Sequence, residues 1–252
     1  TSPTPICAPS ATPTRALAQY FLPANALVGP AGAAPVGAVT LELTRNDPGP
    51  DADPTSVPGD HQSASGSVQF YAAATFTFRD AAGQRLNLAA GQSAAIRIPV
   101  ATSPTALPAS SPLYSFNESS GLWVQEGQAT LQGVGAAAYY EGTVTHFSTW
   151  SAAAPYSRVS VSGRVVDEFG DAMAGVRVVS VGTDYIGSAQ TTTDAAGRFS
   201  VFAKPSANIV LFAVANDGES PERALVTSTT DASLPAALVL PALSRARVTL
   251  GA

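Results

Sequence analysis

Short runs of alternating apolar and polar residues recur along the chain, separated by Gly, Pro, Asn and Asp. Alternation puts successive side chains on opposite faces of an extended strand. Leu17 to Leu22 is an apolar run closed by Pro23, and Leu41 and Leu43 alternate with Thr40, Glu42 and Thr44. Residues 45–67 read as a long polar loop. Phe76 and Phe78 alternate with Thr75 and Thr77, and Ile96 and Ile98 mark another strand closed by Pro99. Tyr114 and Phe116, the turn residues Asn117 to Gly121, then Leu122 and Val124 form the pattern of a β-hairpin whose loop ends on Gly. Thr143 to Trp150 mixes β-branched and aromatic residues and reads as one further strand.

Ser151 to Pro155 interrupts the pattern as a linker, and the same grammar then resumes. Val159, Val161 and Val165 alternate with polar residues, as do Val176 with Val178 and Phe199 with Val201. Ile209 to Val214 is apolar on both faces, as in a central strand, and Val248 and Leu250 suggest a closing edge strand. Asp-Ala-Ala-Gly occurs at 80–83 and again at 194–197, with Asp and Gly where a type I turn prefers them. No stretch sustains a 3.6-residue period. The expected fold is all-β: two tandem β-sandwich domains, 15–152 and 158–252, after an extended Pro/Thr-rich tail at 1–14.

Composition narrows the function. Hydrophobic residues make up 45% and charged ones 12%, enough to build a core while leaving a surface of Ser, Thr, Gln, Asn and Gly. A net charge of −5, with Lys204 the one lysine and no basic cluster, argues against nucleic acid and anionic membrane surfaces. Ile209 to Ala215, the longest apolar run, is too short to cross a bilayer. Cys7 stands alone, so no internal disulfide framework forms. This balance fits an exported bacterial protein, and the start at Thr1 fits a mature chain whose signal peptide has been removed.

Candidate chemistry is sparse. The two histidines, His61 and His146, lack zinc-ligand spacing; His146 reads as a hydrogen-bonded structural residue and His61 as an exposed loop residue. Glu118, Glu126 and Glu141 surround the aromatic stretch, where a glycosidase would need a carboxylate pair, but turn and hairpin carboxylates are ordinarily solvated. Asp47, Asp51 and Asp53, with Asn46, gather oxygen donors of the type calcium takes, without the spacing of an EF-hand. No resident cofactor is otherwise expected. Trp123 shares a strand face with Gln125; if Leu122 and Val124 face the core it points outward and can stack on a sugar or partner. The competing reading covers it with a neighbouring strand, loop or domain.

Two resemblances rest on longer motifs. Residues 158–214, with VSGRVVDEFGDAMAGVRVVSVGT and TTTDAAGRFSVFAKP, resemble a carboxypeptidase regulatory-like domain, a transthyretin-like sandwich. The matching positions are Gly163, Val165, Asp167, Gly170, Gly175, Val176 and Val178, then Thr193, Asp194, Gly197 and Phe199. Relatives often carry Cys near the positions of Val161 and Ser200, a disulfide this chain lacks. Residues 17–152 resemble a β-rich module found beside such domains in bacterial surface proteins and cartilage intermediate layer-like proteins. The motifs are LPANAL (22–27), PGD (58–60), FRDAAGQRLNLAAGQ (78–92), SPLYSFNESSGLWVQEG and GTVTHFSTW (142–150).

The resemblance implies architecture and compartment, with no activity attached. The resulting expectation is a non-enzymatic extracellular structural protein of the bacterial cell surface. It would be a self-assembling fibre or appendage subunit, a homo-oligomer or polymer joined through its tail and sheet edges without membrane insertion. Ile6 would anchor the tail on a neighbour, and Cys7 would pair between subunits or be buried there. The alternative is an adhesion or carbohydrate-binding module.

Overall fold

The strands of the first half are β1 (Thr4–Cys7), β2 (Gln19–Leu22), β3 (Leu27–Val28), β4 (Thr40–Asn46), β5 (Gln62–Ser63) and β6 (Gly66–Arg79). They continue with β7 (Asn87–Leu88), β8 (Ala94–Pro99), β9 (Ser110–Asn117), β10 (Leu122–Gln132), β11 (Tyr139–Val144) and β12 (Thr149–Tyr156). The computed structural model describes residues 4–7, 16–47, 57–102, 106–215 and 218–241, without the side chains of 4–7. The fold is all-β: among the described residues, helical structure amounts to two 3-10 turns, Pro30–Gly32 and Gly135–Ala137. The chain divides into two compact units, Thr1–Tyr156 and Ser157–Ala252.

In the first unit the ladder runs β1-β2-β8-β11-β10-β9-β12-β6-β4, every pairing antiparallel. Strand β5 forms a tight hairpin with β6 and touches β10 at Ser63 and Trp123. Tyr20, near one end of the ladder, packs edge-on against Phe76 and Phe78, near the other, at 5.1 and 5.4 Å. The sheet is therefore curled so that its two halves face each other. Ile96, Ile98, Leu113, Tyr140 and Trp150 fill the space between them. Each such large side chain contributes roughly 1.5–3 kcal/mol on leaving water.

The second unit is built from β13 (Val159–Asp167), β14 (Arg177–Gly182), β15 (Ser188–Thr192), β16 (Arg198–Ala203), β17 (Asn208–Ala215), β18 (Gly218–Glu219), β19 (Arg223–Val226), β20 (Ala232–Ser233) and β21 (Leu238–Leu240). One sheet places β16 on one side of β13, with β20 and β21 on the other; the second is β15-β14-β17, extended by β18 and β19. Val161, Val165, Phe199 and Val201 face inward from the first, and Val178, Ile209, Leu211 and Ala213 from the second. Val161 lies opposite Val201, an apolar pair across β13 and β16.

Several expectations need correction. Ser151 to Pro155 is no linker: it lies inside β12, with Ala152 and Ala153 fully buried. Small side chains there let β6 and β12 pack closely against the rest of the fold, and alanine hides that burial from a pattern search. Thr143 to Trp150 is not one strand, because β11 ends at Val144 and Thr145 to Ser148 cross to β12. The loop at 45–67 is shorter than expected, since β4 reaches Asn46 and Gln62–Ser63 is strand. The strand expected at Val248 and Leu250 lies outside the described residues.

Both Asp-Ala-Ala-Gly turns are built alike. Asp80 Oδ1 accepts the N–H groups of Ala82 and Gln84, and Asp194 Oδ1 those of Ala196 and Arg198. The N–H of Val36, with those of Gln84 and Ala82, holds the Asp80 carboxyl below the usual range against the opposing effect of burial. The closing glycines both have positive φ, +78° at Gly83 and +71° at Gly197. Their surroundings differ: Gly83 faces open space, whereas a Cβ on Gly197 would lie 2.5 Å from the Val165 carbonyl oxygen. Gly83→Ala should therefore cost only the left-handed strain, about 1–2 kcal/mol. Gly197→Ala should cost a further ~1–3 kcal/mol from overpacking. Denaturant unfolding of the two variants measures this, and equal losses would contradict the packing argument.

Candidate functional site

Strand β1 adds to the outer edge of β2, with Ile6 opposite Tyr20 and Cys7 opposite Gln19. These two proposed assembly residues thus sit in a strand paired within the same chain, and Ile6 occupies the ladder position beside the most buried ring of β2. The outer face of the acceptor strand is braced. Arg97 Nε lies 2.5 Å from Glu141 Oε2, and its Nη1 donates to Gln19 Oε1 at 3.1 Å. Its guanidinium also sits over the rings of Phe21 and Tyr139, at 4.7 and 5.0 Å. With the ion pair about one-third exposed, each contact is modest, about 0.5–1 kcal/mol, but together they fix the orientation of β2.

A polar cluster forms where β10 bulges. The register shift between Gln125 and Gly127 leaves Glu126 as the extra residue, and a bulge re-aims its side chain. Glu126 accepts from Ser115 Oγ at 2.6 Å and meets His146 Nε2 at 2.9 Å. The imidazole lies 4.9 Å from the Trp150 ring, whose Nε1 donates to the His146 carbonyl. His146 is a hydrogen-bonded residue, on a bend instead of the expected strand. Ser115 bonds the carboxylate and not the imidazole, so the three do not form a nucleophile-base relay. The glutamates do not pair: Glu118 meets Arg85 at 3.6 Å, Glu126 meets His146 and Glu141 meets Arg97.

Trp123 follows the covered reading and not the outward, ligand-stacking one. Its ring is 1% exposed, while Val124, its neighbour on the opposite face, is 39% exposed. Phe70 meets it edge-on at 4.8 Å, Phe116 packs at 5.3 Å, and His61 packs on Phe70 at 4.3 Å. The Pro58-Gly59-Asp60 stretch and the β5 hairpin fold over this side of the sheet and make a second small core, so Trp123 is closed to any ligand. His61, expected in solvent, is only 4% exposed for the same reason. A lone His in a polar loop carries no pattern that announces such a cover.

Of the calcium candidates, Asp47 pairs with Arg45 at 3.2 Å, and the neighbouring Asn46 amide donates to Thr75 Oγ1. Asp51 and Asp53 lie outside the described residues. Among the described residues no three His, Cys, Asp or Glu side chains converge as metal ligands.

An open groove of about 290 Å³ lies beside β6. On this side of the strand Phe76 N–H donates to the Ser148 carbonyl, and Phe78 C=O accepts from Leu86 N–H. Alternation along the strand turns the Phe76 carbonyl and the Phe78 N–H between them toward the groove. Phe147, stacked on Phe78 at 4.3 Å, forms part of its wall, and the Arg85–Glu118 ion pair lies at its edge. Asn87 Oδ1 accepts from Leu88 N–H and Phe147 N–H at 2.8 and 3.1 Å, and so ties the two flanking segments together. Sequence reading missed Asn87, although the motif containing it was visible.

No protein-family model matches the chain, and no curated protein matches it. Among solved structures it is similar to the shaft pilin SpaA from Lactobacillus rhamnosus GG, at 14% identity over 86% of this chain and 88% of that one. The TM-score is 0.27, too low to transfer a fold or a role. No described helix is long and apolar enough to cross a membrane.

Burial lowers the pKa of His61 to about 4. In the unfolded chain it titrates near the ordinary ~6.5. The neutral form is favoured by folding, so its contribution is complete above about pH 6.5 and is lost as pH falls towards 4. The loss should total roughly 3 kcal/mol for that depression. Denaturation series between pH 4 and 7 should show a slope that His61→Leu flattens; an unchanged slope in the variant would contradict the assignment.

Proposed function

We propose that the chain is a non-enzymatic structural subunit of the bacterial cell surface, assembling into a fibre or appendage through its N-terminal strand. The supporting observation is the place of β1 in the ladder. Among the described residues it pairs with β2 alone, at one end of an otherwise continuous sheet. Eleven residues separate Cys7 from Gln19, whereas a local hairpin needs only about two to five. Fully extended, eleven residues reach about 36–40 Å. The same strand can therefore occupy β2 of its own molecule or β2 of a neighbour, with the register Thr4↔Leu22 to Cys7↔Gln19 in either case. Ile6 and Cys7 are the residues proposed to sit at the subunit contact. Exchange of a strand between identical copies needs no new interface chemistry, because the hydrogen bonds made in one arrangement are remade in the other.

The domain reading belongs to the same proposal. A β-sandwich module, read from the sequence as 15–152 and carried by β12 to Tyr156, precedes a carboxypeptidase regulatory-like sandwich at 158–252. An extracellular location follows from the role. Deletion of residues 1–14 should shift the protein to monomer by light scattering and remove any filaments from negative-stain images. A truncated protein with the size distribution of the full chain would refute the assembly role of the tail.

A further inference from the structure

The groove beside β6 has no part in strand exchange, yet four further stretches converge on it, the first being Val28 to Pro30 at the end of β3. Arg85 and Leu86 come from the segment after β6 and Asn87 from the start of β7, Glu118 from the β9–β10 turn, and Phe147 to Thr149 from the crossing between β11 and β12 and the first residue of β12. The feature that points to a ligand is Asn87. Two backbone N–H donors hold its Oδ1, which settles the orientation of the amide. Asn87 is exposed, so its –NH2 group presents two solvent-reachable donors that have no partner among the described residues, beside an oxygen that is held in place. A held donor of this kind is pre-organised for binding, because less rotamer freedom remains to be lost.

The rest of the lining matches a hydroxyl-rich ring. Glu118 supplies an acceptor and Arg85 a donor at the rim, while the backbone of Phe76 and Phe78 offers one of each deeper in. Phe147, half-buried at the wall, adds apolar surface for the C–H face of a sugar. At about 290 Å³ the space lies at the lower bound of small-molecule sites, about 300–1,000 Å³, which favours one or two pyranose rings over a longer glycan or peptide. Arg85 and Glu118 offset each other in charge, so a neutral ligand fits better than an anion. We infer that this groove is a binding site for a neutral pyranose unit, with the Asn87 amide donating to ring or hydroxyl oxygens and Glu118 accepting from a hydroxyl.

The test is a titration of the isotope-labelled full chain with methyl glycosides of glucose, galactose, mannose and N-acetylglucosamine, followed by amide NMR. At least one glycoside should move the Asn87 side-chain –NH2 resonances together with the Phe78 and Phe147 backbone amides. Asn87→Asp keeps the acceptor used by Leu88 and Phe147 but removes the donors, and should weaken that binding about tenfold or more. Glu118→Gln, on the exposed rim, should weaken it severalfold without disturbing the fold, and serves if Asn87→Asp unfolds. No movement of the Asn87 resonances with any of the four glycosides overturns the inference. So does binding that both variants leave unchanged, or a response confined to residues outside the groove. Loss of assembly on deleting the tail has no bearing on these outcomes.

Discussion

An open β-sheet ends in two rows of backbone N–H and C=O groups, and something must satisfy or shield each row. In the first unit those rows belong to β1 and β4. The edge at β4 carries Thr40, Glu42 and Thr44 on its exposed face, the polar outward pattern that discourages further pairing. The other end is different. Beneath β1 lies β2, whose Tyr20 is fully buried and reaches across the core to Phe76, Phe78 and Phe147. Because β2 is committed to the core, it cannot withdraw its edge, and a strand that pairs there satisfies backbone groups that would otherwise face solvent.

That dependence links the ends of the molecule's chemistry. Tyr20 holds Phe147 from inside, at 5.3 Å, and Phe147 in turn forms a wall of the groove beside β6. The Tyr20 hydroxyl is buried without a hydrogen-bond partner among the described residues, and burial pushes its ionisation far above the ordinary range. Carrying an unpaired polar atom into the core costs free energy that a phenylalanine would not. The ring packing outweighs it, since each of the three aromatic contacts adds about 0.5–1.5 kcal/mol beyond simple burial. Arg97 steadies the opposite face of the same short strand.

Much of this architecture was legible in the sequence, and the failures share a cause. Leu41 with Leu43, Phe76 with Phe78 and Ile96 with Ile98 identified their strands because one face is buried and the other wet. The Asn117–Gly121 turn and both Asp-Ala-Ala-Gly turns were readable from residue chemistry alone. Ala152 and Ala153 were misread because alanine in a fully buried strand resembles alanine in a linker. His61 was misread, and Trp123 was left between two readings, because a cover formed by residues 57–63 buries the outer sheet face, and strand periodicity cannot distinguish a covered face from a wet one. Asn87 was invisible as a site residue because its role depends on two backbone donors, one of them at Phe147, brought close only by the fold.

The central claim is that the outer edge of β2 is an acceptor for the N-terminal strand. Hydrogen exchange at the β2 amides facing β1 tests it most directly. The comparison is the full chain, the chain lacking residues 1–14, and that truncated chain with a synthetic peptide of residues 1–14 added. Protection should be present in the full chain, absent after truncation and restored by the peptide, while protection in β8 and β11 stays constant. Protection of β2 that survives truncation, or that the peptide fails to restore in a folded truncated protein, would contradict the account.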